Sequence, residues 1–168
     1  MENNVTAIWE QKLADLWSDY EKLAPAEFLN EMTTLVGELP ADSAIGLFEL
    51  ASANDSTGNE AQAAPLYKKA LDNGLTGLRR RRANIQLAST IRNLGEPLKS
   101  VEILRKELNS PSDELDDAVK AFLSLALIDA GREKEAAAIA LTIIAPHLVR
   151  YQKSLRNYAN KILDEVNY

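Results

Sequence analysis

Three glycines, Gly58, Gly95 and Gly131, recur along this chain at a spacing of about 36 residues. Each lies between two stretches whose apolar residues follow helical spacing, so each marks the turn of a helical hairpin. Glycine suits the left-handed end of a helix, where a side chain would cost free energy. Tandem hairpins of this period are typical of stacked helical arrays, because no single hairpin can bury its apolar face alone. The period therefore predicts an all-α binding scaffold.

Within the three hairpins, small residues stand where two helices must approach closely. The equivalent places in the second helices hold Ala63, Ser100 and Ala136. In the first helices, a large residue precedes a small one about two turns before each glycine. These pairs are Leu50 and Ala51, Leu87 and Ala88, and Leu123 and Ser124. We interpret this order of sizes as a helix-packing pattern rather than a catalytic motif.

The hairpins resemble the tetratricopeptide repeats, whose helix-turn-helix units carry small residues at these places, a glycine at the turn and an aromatic residue in the second helix. The resemblance covers residues 43–146, and the second and third units depart from it with Ser100 and Ala140. The best-matched unit contains Leu50, Ala51, Gly58, Ala63, Tyr67 and Ala70. Small, stand-alone bacterial members of the family are similar in the stretches LASANDSTG, GLRRRRANIQLASTIRNLG and APHLVRYQKSLRNYA.

The resemblance implies a right-handed α-solenoid of three repeats, and both ends of the chain predict further helices. Apolar residues at spacings of three and four predict helices over residues 5–23 and 26–38, which form an N-terminal hairpin within residues 1–40. A last helix over residues 147–166 would cap the array within residues 147–168. No stretch has the composition of a linker, so we expect one domain over residues 1–168.

Composition limits the compartment and the class of partner. The chain has 168 residues and no cysteine, and its first residues carry charge. No apolar run approaches the roughly 20 residues that a membrane span requires. We therefore expect a cytosolic protein without a membrane contact. Residues 1–78 hold 4 Lys/Arg and 13 Asp/Glu, whereas residues 79–168 hold 15 and 12. The net charge of −6 argues against non-specific binding to nucleic acid.

Four successive arginines, from position 79 to position 82, begin the first helix of the second hairpin, where the helix dipole disfavours positive charge. Two interpretations stay open. In the first, the acidic N-terminal half neutralises the arginines through surface ion pairs. In the second, the helix binds a partner. The turns that follow Arg82 place Gln86, Ser89, Arg92 and Asn93 on the side that lines the concave groove in tetratricopeptide arrays.

Arginine with amide and hydroxyl neighbours suits a carboxylate, which the guanidinium group can hold with two hydrogen bonds. The sequence thus predicts a protein-interaction scaffold that binds an acidic or C-terminal peptide segment of a cytosolic partner through Arg82, Gln86, Ser89, Arg92 and Asn93. The complete carboxylate clamp of some family members is absent, and Phe48, Phe122 or Leu125 would supply an apolar floor. Alternatively, Asp55 and Asp129 flank Arg92 and neutralise it.

Other functions have less support from the sequence. A Gly-Leu-Thr-Gly loop over residues 74–77, followed by the arginines, is similar to the phosphate-clamping loop of KH domains, so a nucleic-acid-binding module is the alternative function. The chain contains none of the common catalytic motifs, and its single histidine, His147, has no clustered partners, so we expect no enzyme activity, no cofactor and no metal. Terminal helices usually seal an array, which favours a monomer over a homodimer.

Overall fold

The computed structural model of the chain describes residues 5–166 and contains nine α-helices and no strand within them. The all-α prediction is confirmed. Two 3₁₀ turns, Tyr20–Lys22 and Ala145–His147, lie between helices. None of the helices within residues 5–166 is both long and apolar enough to cross a bilayer. The helices are α1 (Ala7–Ser18), α2 (Pro25–Val36), α3 (Ala44–Ser56), α4 (Glu60–Asp72), α5 (Gly77–Asn93), α6 (Pro97–Leu108), α7 (Asp116–Asp129), α8 (Glu133–Ile144) and α9 (Gln152–Val166).

The three glycines of the repeat adopt the left-handed conformation that the sequence predicts. Their φ angles are +79° at Gly58, +86° at Gly95 and +71° at Gly131. At each turn the amide after the glycine donates a hydrogen bond to a carbonyl five residues earlier, over 2.8, 3.1 and 2.8 Å. This bond satisfies a carbonyl at the end of the first helix, which has no partner inside the helix. The glycines therefore define where each hairpin reverses.

Contacts divide the chain into two compact units, an N-terminal unit up to Thr90 and a C-terminal unit from Ile91. In the N-terminal unit, α1 to α4 pack in sequence order, and α5 contacts α3 through Arg82 and Phe48. The indole Nε1 of Trp9 donates to the carbonyl of Leu35 at 2.9 Å, which fixes α1 on α2. Ala63, at one of the predicted close-packed places, is buried. The single domain over residues 1–168 stays a prediction.

The C-terminal unit contains α6 to α9, which pack on one another in sequence order. Leu104, Leu123 and Leu127 form the centre of its core. Ser100 and Ala136 are buried at the two remaining close-packed places, as the order of sizes predicts. Small side chains let the helix axes approach, which explains why alanine and serine alternate with leucine here.

Two predicted helices have different bounds in the structure. The first helix ends at Ser18 instead of residue 23, because Pro25 holds the residue before it in an extended conformation and the chain passes through a 3₁₀ turn. The last helix begins at Gln152 instead of residue 147, since Leu148 is extended and Tyr151 has a φ of +70°. Residues 1–4 and 167–168 of the predicted end segments lie outside the described residues.

Candidate functional site

The four arginines at the start of α5 have different environments, because a helix turns successive side chains by about 100° around its axis. Arg79 and Arg80 are half-buried, Arg81 is buried, and Arg82 is exposed. The run is thus not one solvated face. The first interpretation, in which surface ion pairs neutralise the arginines, therefore holds for only part of the cluster.

Arg79 joins α5 to two acidic residues on α1 and α3. Its Nη1 and Nη2 atoms donate to the two carboxylate oxygens of Glu10 at 2.9 and 2.6 Å, and its Nε donates to Glu49 Oε1 at 3.1 Å. Glu49 is only 2% exposed, and its other oxygen accepts a bond from Trp17 Nε1 at 3.1 Å. Burial raises the pKa of Glu49 despite the neighbouring Arg79. The acidic N-terminal half therefore neutralises Arg79, as the first interpretation states.

Arg82 lies on an aromatic ring instead of on a carboxylate. Its guanidinium carbon is 5.2 Å from the ring centroid of Phe48, within the range of a cation-π contact. No carboxylate among the described residues of the N-terminal unit forms an ion pair with it. Because Arg82 is exposed, a ligand carboxylate can accept hydrogen bonds from its guanidinium group.

A cleft of about 330 Å³ lies beside Arg82 in the N-terminal unit. Its volume is at the lower end of the range for ligand pockets. Leu13 and Trp17 of α1 form an apolar wall, and Ser52 of α3 and Gln86 of α5 provide neutral hydrogen-bonding groups. Glu10 and Arg79 also line the cleft, but they are paired with each other.

Behind the cleft, polar side chains connect α3, α4 and α5. Ser52 Oγ is 3.5 Å from Gln86 Oε1, and the hydroxyl of Tyr67 lies 3.4 Å from both Ser52 Oγ and Asp55 Oδ2. Thr90 Oγ1 donates to Asp55 Oδ1 at 3.0 Å. Burial raises the pKa of Asp55. Asp55 thus bonds within the N-terminal unit, whereas the sequence suggested it as a neutralising neighbour of Arg92.

The remaining predicted site residues lie further along α5. Ser89 is half-buried in the N-terminal unit. In the C-terminal unit, Arg92 Nε is 3.4 Å from Asp129 Oδ2, and an Nη atom of Arg92 donates to Asn93 Oδ1 at 3.1 Å. The structure therefore places Arg82 and Gln86 at the cleft, and it pairs Arg92 with Asp129, the second of the two suggested neighbours.

Most residues that line the cleft were not among the predicted site residues, and Glu49 and Trp17 illustrate why. Glu49 is the one charged residue in the apolar first part of α3, residues 44–51, and a buried carboxylate of this kind requires a cation as its partner. That signal could have found the contact with Arg79. Trp17 has no comparable local signal, because its place in the cleft depends on how α1 packs. Within residues 5–166, no three His, Cys, Asp or Glu residues gather in a way that could hold a metal ion.

A family model described as "Tetratrico peptide repeat" matches residues 44–162. The match includes the three glycine turns, the buried small residues and most of α9, but not α1 or α2. No curated protein and no solved structure matches the chain. Because the matched region exceeds half of the 168 residues, the chain belongs to the tetratricopeptide repeat family.

Proposed function

We propose that this protein is an interaction scaffold that binds a C-terminal peptide segment of a cytosolic partner protein in the cleft of its N-terminal unit. Membership of the tetratricopeptide repeat family supports the general role, since these repeats act as protein-interaction scaffolds. The finer proposal concerns the ligand and the site. Its central observation is Arg82, an exposed guanidinium group that lies on Phe48 and faces the cleft.

The chemistry of the cleft favours a ligand with one carboxylate. A guanidinium group can hold a carboxylate through two parallel hydrogen bonds, and Gln86 can bond to the adjacent peptide group. Leu13 and Trp17 suit an apolar last side chain. A C-terminal residue offers this combination of a carboxylate, an amide and an apolar group.

A run of acidic side chains fits the same cleft less well. Glu10 already accepts two hydrogen bonds from Arg79. Glu10 therefore already neutralises Arg79, so Arg79 attracts a second ligand carboxylate only weakly. The negative charge of Glu10 also repels that carboxylate. Of the two ligands that the sequence predicts, the geometry thus favours the C-terminal segment over the acidic one.

Ser89, Arg92 and Asn93 do not line this cleft, and their role in binding stays a prediction from the sequence. Asp129 offsets part of the charge of Arg92. We therefore expect Arg92 to contribute less to binding than Arg82.

The nucleic-acid alternative has less support. Leu75 is buried within the loop that would clamp a phosphate, and Arg79 is paired with two carboxylates. These contacts leave fewer free cations at the loop than the sequence suggested.

The test uses peptides with defined C-termini. Hexapeptides that end in Leu or Phe, with random upstream residues and free carboxylates, are immobilised through their N-termini and selected on the protein. Selected sequences are resynthesised and titrated. Tryptophan fluorescence follows the titration, because Trp17 lies in the cleft wall.

We expect micromolar dissociation constants, near −8 kcal/mol. Arg82→Gln should raise the dissociation constant about 10- to 150-fold, because a hydrogen-bonded charge contributes about 1.5–3 kcal/mol. Amidation of the peptide C-terminus should have a similar effect. Lys106→Gln removes an exposed cation from α6 and should leave the affinity unchanged. Equal affinity for free and amidated peptides would refute the proposed ligand, and equal affinity in the Arg82→Gln variant would refute the proposed site.

A further inference from the structure

The C-terminal unit contains a long segment without acidic residues. Residues 136–163 include Arg150, Lys153, Arg156 and Lys161 but no Asp or Glu, although the chain as a whole has 25 acidic residues and a net charge of −6. Charges of opposite sign are usually interspersed on the surface of a soluble domain. This segment therefore forms a local cationic surface on an acidic protein.

Aromatic side chains lie on the same surface. Leu155, Tyr158 and Ile162 follow spacings of three and four residues along α9, which places these side chains on one face. Tyr151 directly precedes the helix, and these four residues are here called the tyrosine stripe. Tyr151 is 75% exposed and Tyr158 is 68% exposed, whereas Leu155 and Ile162 are half-buried. Although α9 packs on α8, its tyrosine stripe remains open to solvent.

The N-terminal hairpin has the complementary properties. Residues 5–40 hold seven Asp/Glu and two Lys. A cleft of about 310 Å³ lies between α1 and α2, with Leu16 and Leu35 among its lining residues. Glu31, Thr34 and the ion pair of Lys12 with Glu38 also line the cleft. Two leucines in a hairpin of net negative charge can accept an aromatic ring flanked by cations.

We propose that the tyrosine stripe of α9 in one copy of this protein docks in the α1–α2 cleft of a second copy, head to tail. A second copy is the favoured occupant because its hairpin supplies both complements, negative charge for the four cations and an apolar cleft for the tyrosine rings. The sequence favours a monomer on the ground that terminal helices seal an array. The exposed stripe weakens this argument for a monomer, because α9 leaves its own aromatic face uncovered.

A head-to-tail contact uses two different surfaces, so a pair held by one such contact leaves one of each free. Association therefore increases with protein concentration, and it either continues or ends in a closed ring. Much of the attraction comes from exposed charges, which salt screens strongly. The proposal is independent of peptide binding, since neither surface includes Arg82 or its cleft.

Sedimentation equilibrium of the full chain tests the proposal. At about 0.01 M salt the average mass should rise above 18.5 kDa with increasing concentration, and at about 1 M salt it should return to this value. Two double variants separate the surfaces. The tail variant carries Tyr151→Ser and Tyr158→Ser, and the head variant carries Glu31→Lys and Glu38→Lys. Circular dichroism and thermal melting establish that both variants are folded.

Each variant alone should remain monomeric, because each lacks one of the two surfaces. Mixed together they should form a one-to-one complex of about twice the monomer mass and nothing larger, since only one tail and one head are intact. The double variant Glu21→Lys/Glu27→Lys makes the same charge change outside the cleft and should weaken association less than the head variant does. The proposal is overturned if the wild type stays at 18.5 kDa at low salt, if the head variant alone still dimerises, or if the charge control weakens association equally.

Discussion

The contact between Arg79 and Glu49 allows one prediction to be worked out in numbers. Arg79→Ala removes the cation that bonds to a carboxylate that is 2% exposed. A buried charge that loses its partner costs about 3–5 kcal/mol. Glu49 can avoid part of this cost by taking up a proton. For a carboxyl group with an ordinary pKa of 4.5, protonation at pH 7 costs about 3.4 kcal/mol. The cost of protonating Glu49 is therefore the upper limit of the loss, and we expect the Arg79→Ala variant to lose about 2–3.5 kcal/mol of unfolding free energy.

This loss should depend on pH in a defined direction. Burial raises the pKa of Glu49 in the folded protein, and loss of Arg79 raises it further. A group with a raised folded pKa stabilises the protein below its unfolded pKa, and this contribution disappears as the pH rises through the folded value. The cost of protonation falls by about 1.4 kcal/mol for each pH unit below 7. Arg79→Ala should thus be about 1–2 kcal/mol less damaging at pH 5.5 than at pH 7.

Urea unfolding followed by circular dichroism measures these free energies. In a Glu49→Gln background no buried carboxylate needs a cation, so Arg79→Ala should cost only about 1 kcal/mol. Glu10→Gln is the matched control, because it removes a half-exposed partner of Arg79, and such a pair contributes about 0–1 kcal/mol. Equal costs of Arg79→Ala in the two backgrounds, or at both pH values, would refute the argument.

Two further predictions concern packing and the turns. Leu87→Ala should cost about 2–5 kcal/mol of unfolding free energy and lower the melting temperature by about 4–20 °C, because Leu87 is buried. Lys99→Ala, at an exposed position, should shift the melting temperature by less than about 2 °C. Similar shifts for the two variants would contradict the assigned faces. Gly58→Ala should cost about 1–2 kcal/mol from backbone strain alone, because φ is +79° and an added Cβ meets no atom of the described residues within 4 Å. An unchanged unfolding free energy for Gly58→Ala would contradict the strain argument.

Much of the fold could be predicted because its signals are local. Helical spacing of apolar residues needs only a window of a few turns, and a glycine at a left-handed turn depends on its immediate neighbours. Gly58, Gly95 and Gly131 all have positive φ angles, and the small residues between the helices are buried. These features come from the repeat itself. They also carry the resemblance to the family that the family model matches.

The arginine cluster was predicted only in part because its contacts are long-range. Glu10 is 69 residues from Arg79 in sequence, and only the packing of α1 near α5 brings them together. The first interpretation of the sequence pairs the arginines with acidic residues at the surface, but Arg81 is buried. Similarly, the start of α9 was misplaced because periodicity continues through residues 147–151 while the backbone does not. Apolar spacing reports which face is buried, and it does not report the φ angle at Tyr151.

Tyr151 offers a last prediction that separates folding from association. A bulky residue with a φ of +70° is strained by about 1–2 kcal/mol, and Tyr151 makes up little of this through packing because it is largely exposed. Tyr151→Gly relieves the strain but adds freedom to the unfolded chain, so we expect the monomer to gain about 0–1 kcal/mol. The same change removes one ring of the stripe and should weaken self-association at low salt. Urea unfolding at about 1 M salt measures the first effect, and sedimentation at about 0.01 M salt measures the second. A variant that loses stability would show that the ring packs within its own chain, and one that associates like the wild type would remove Tyr151 from the docking surface.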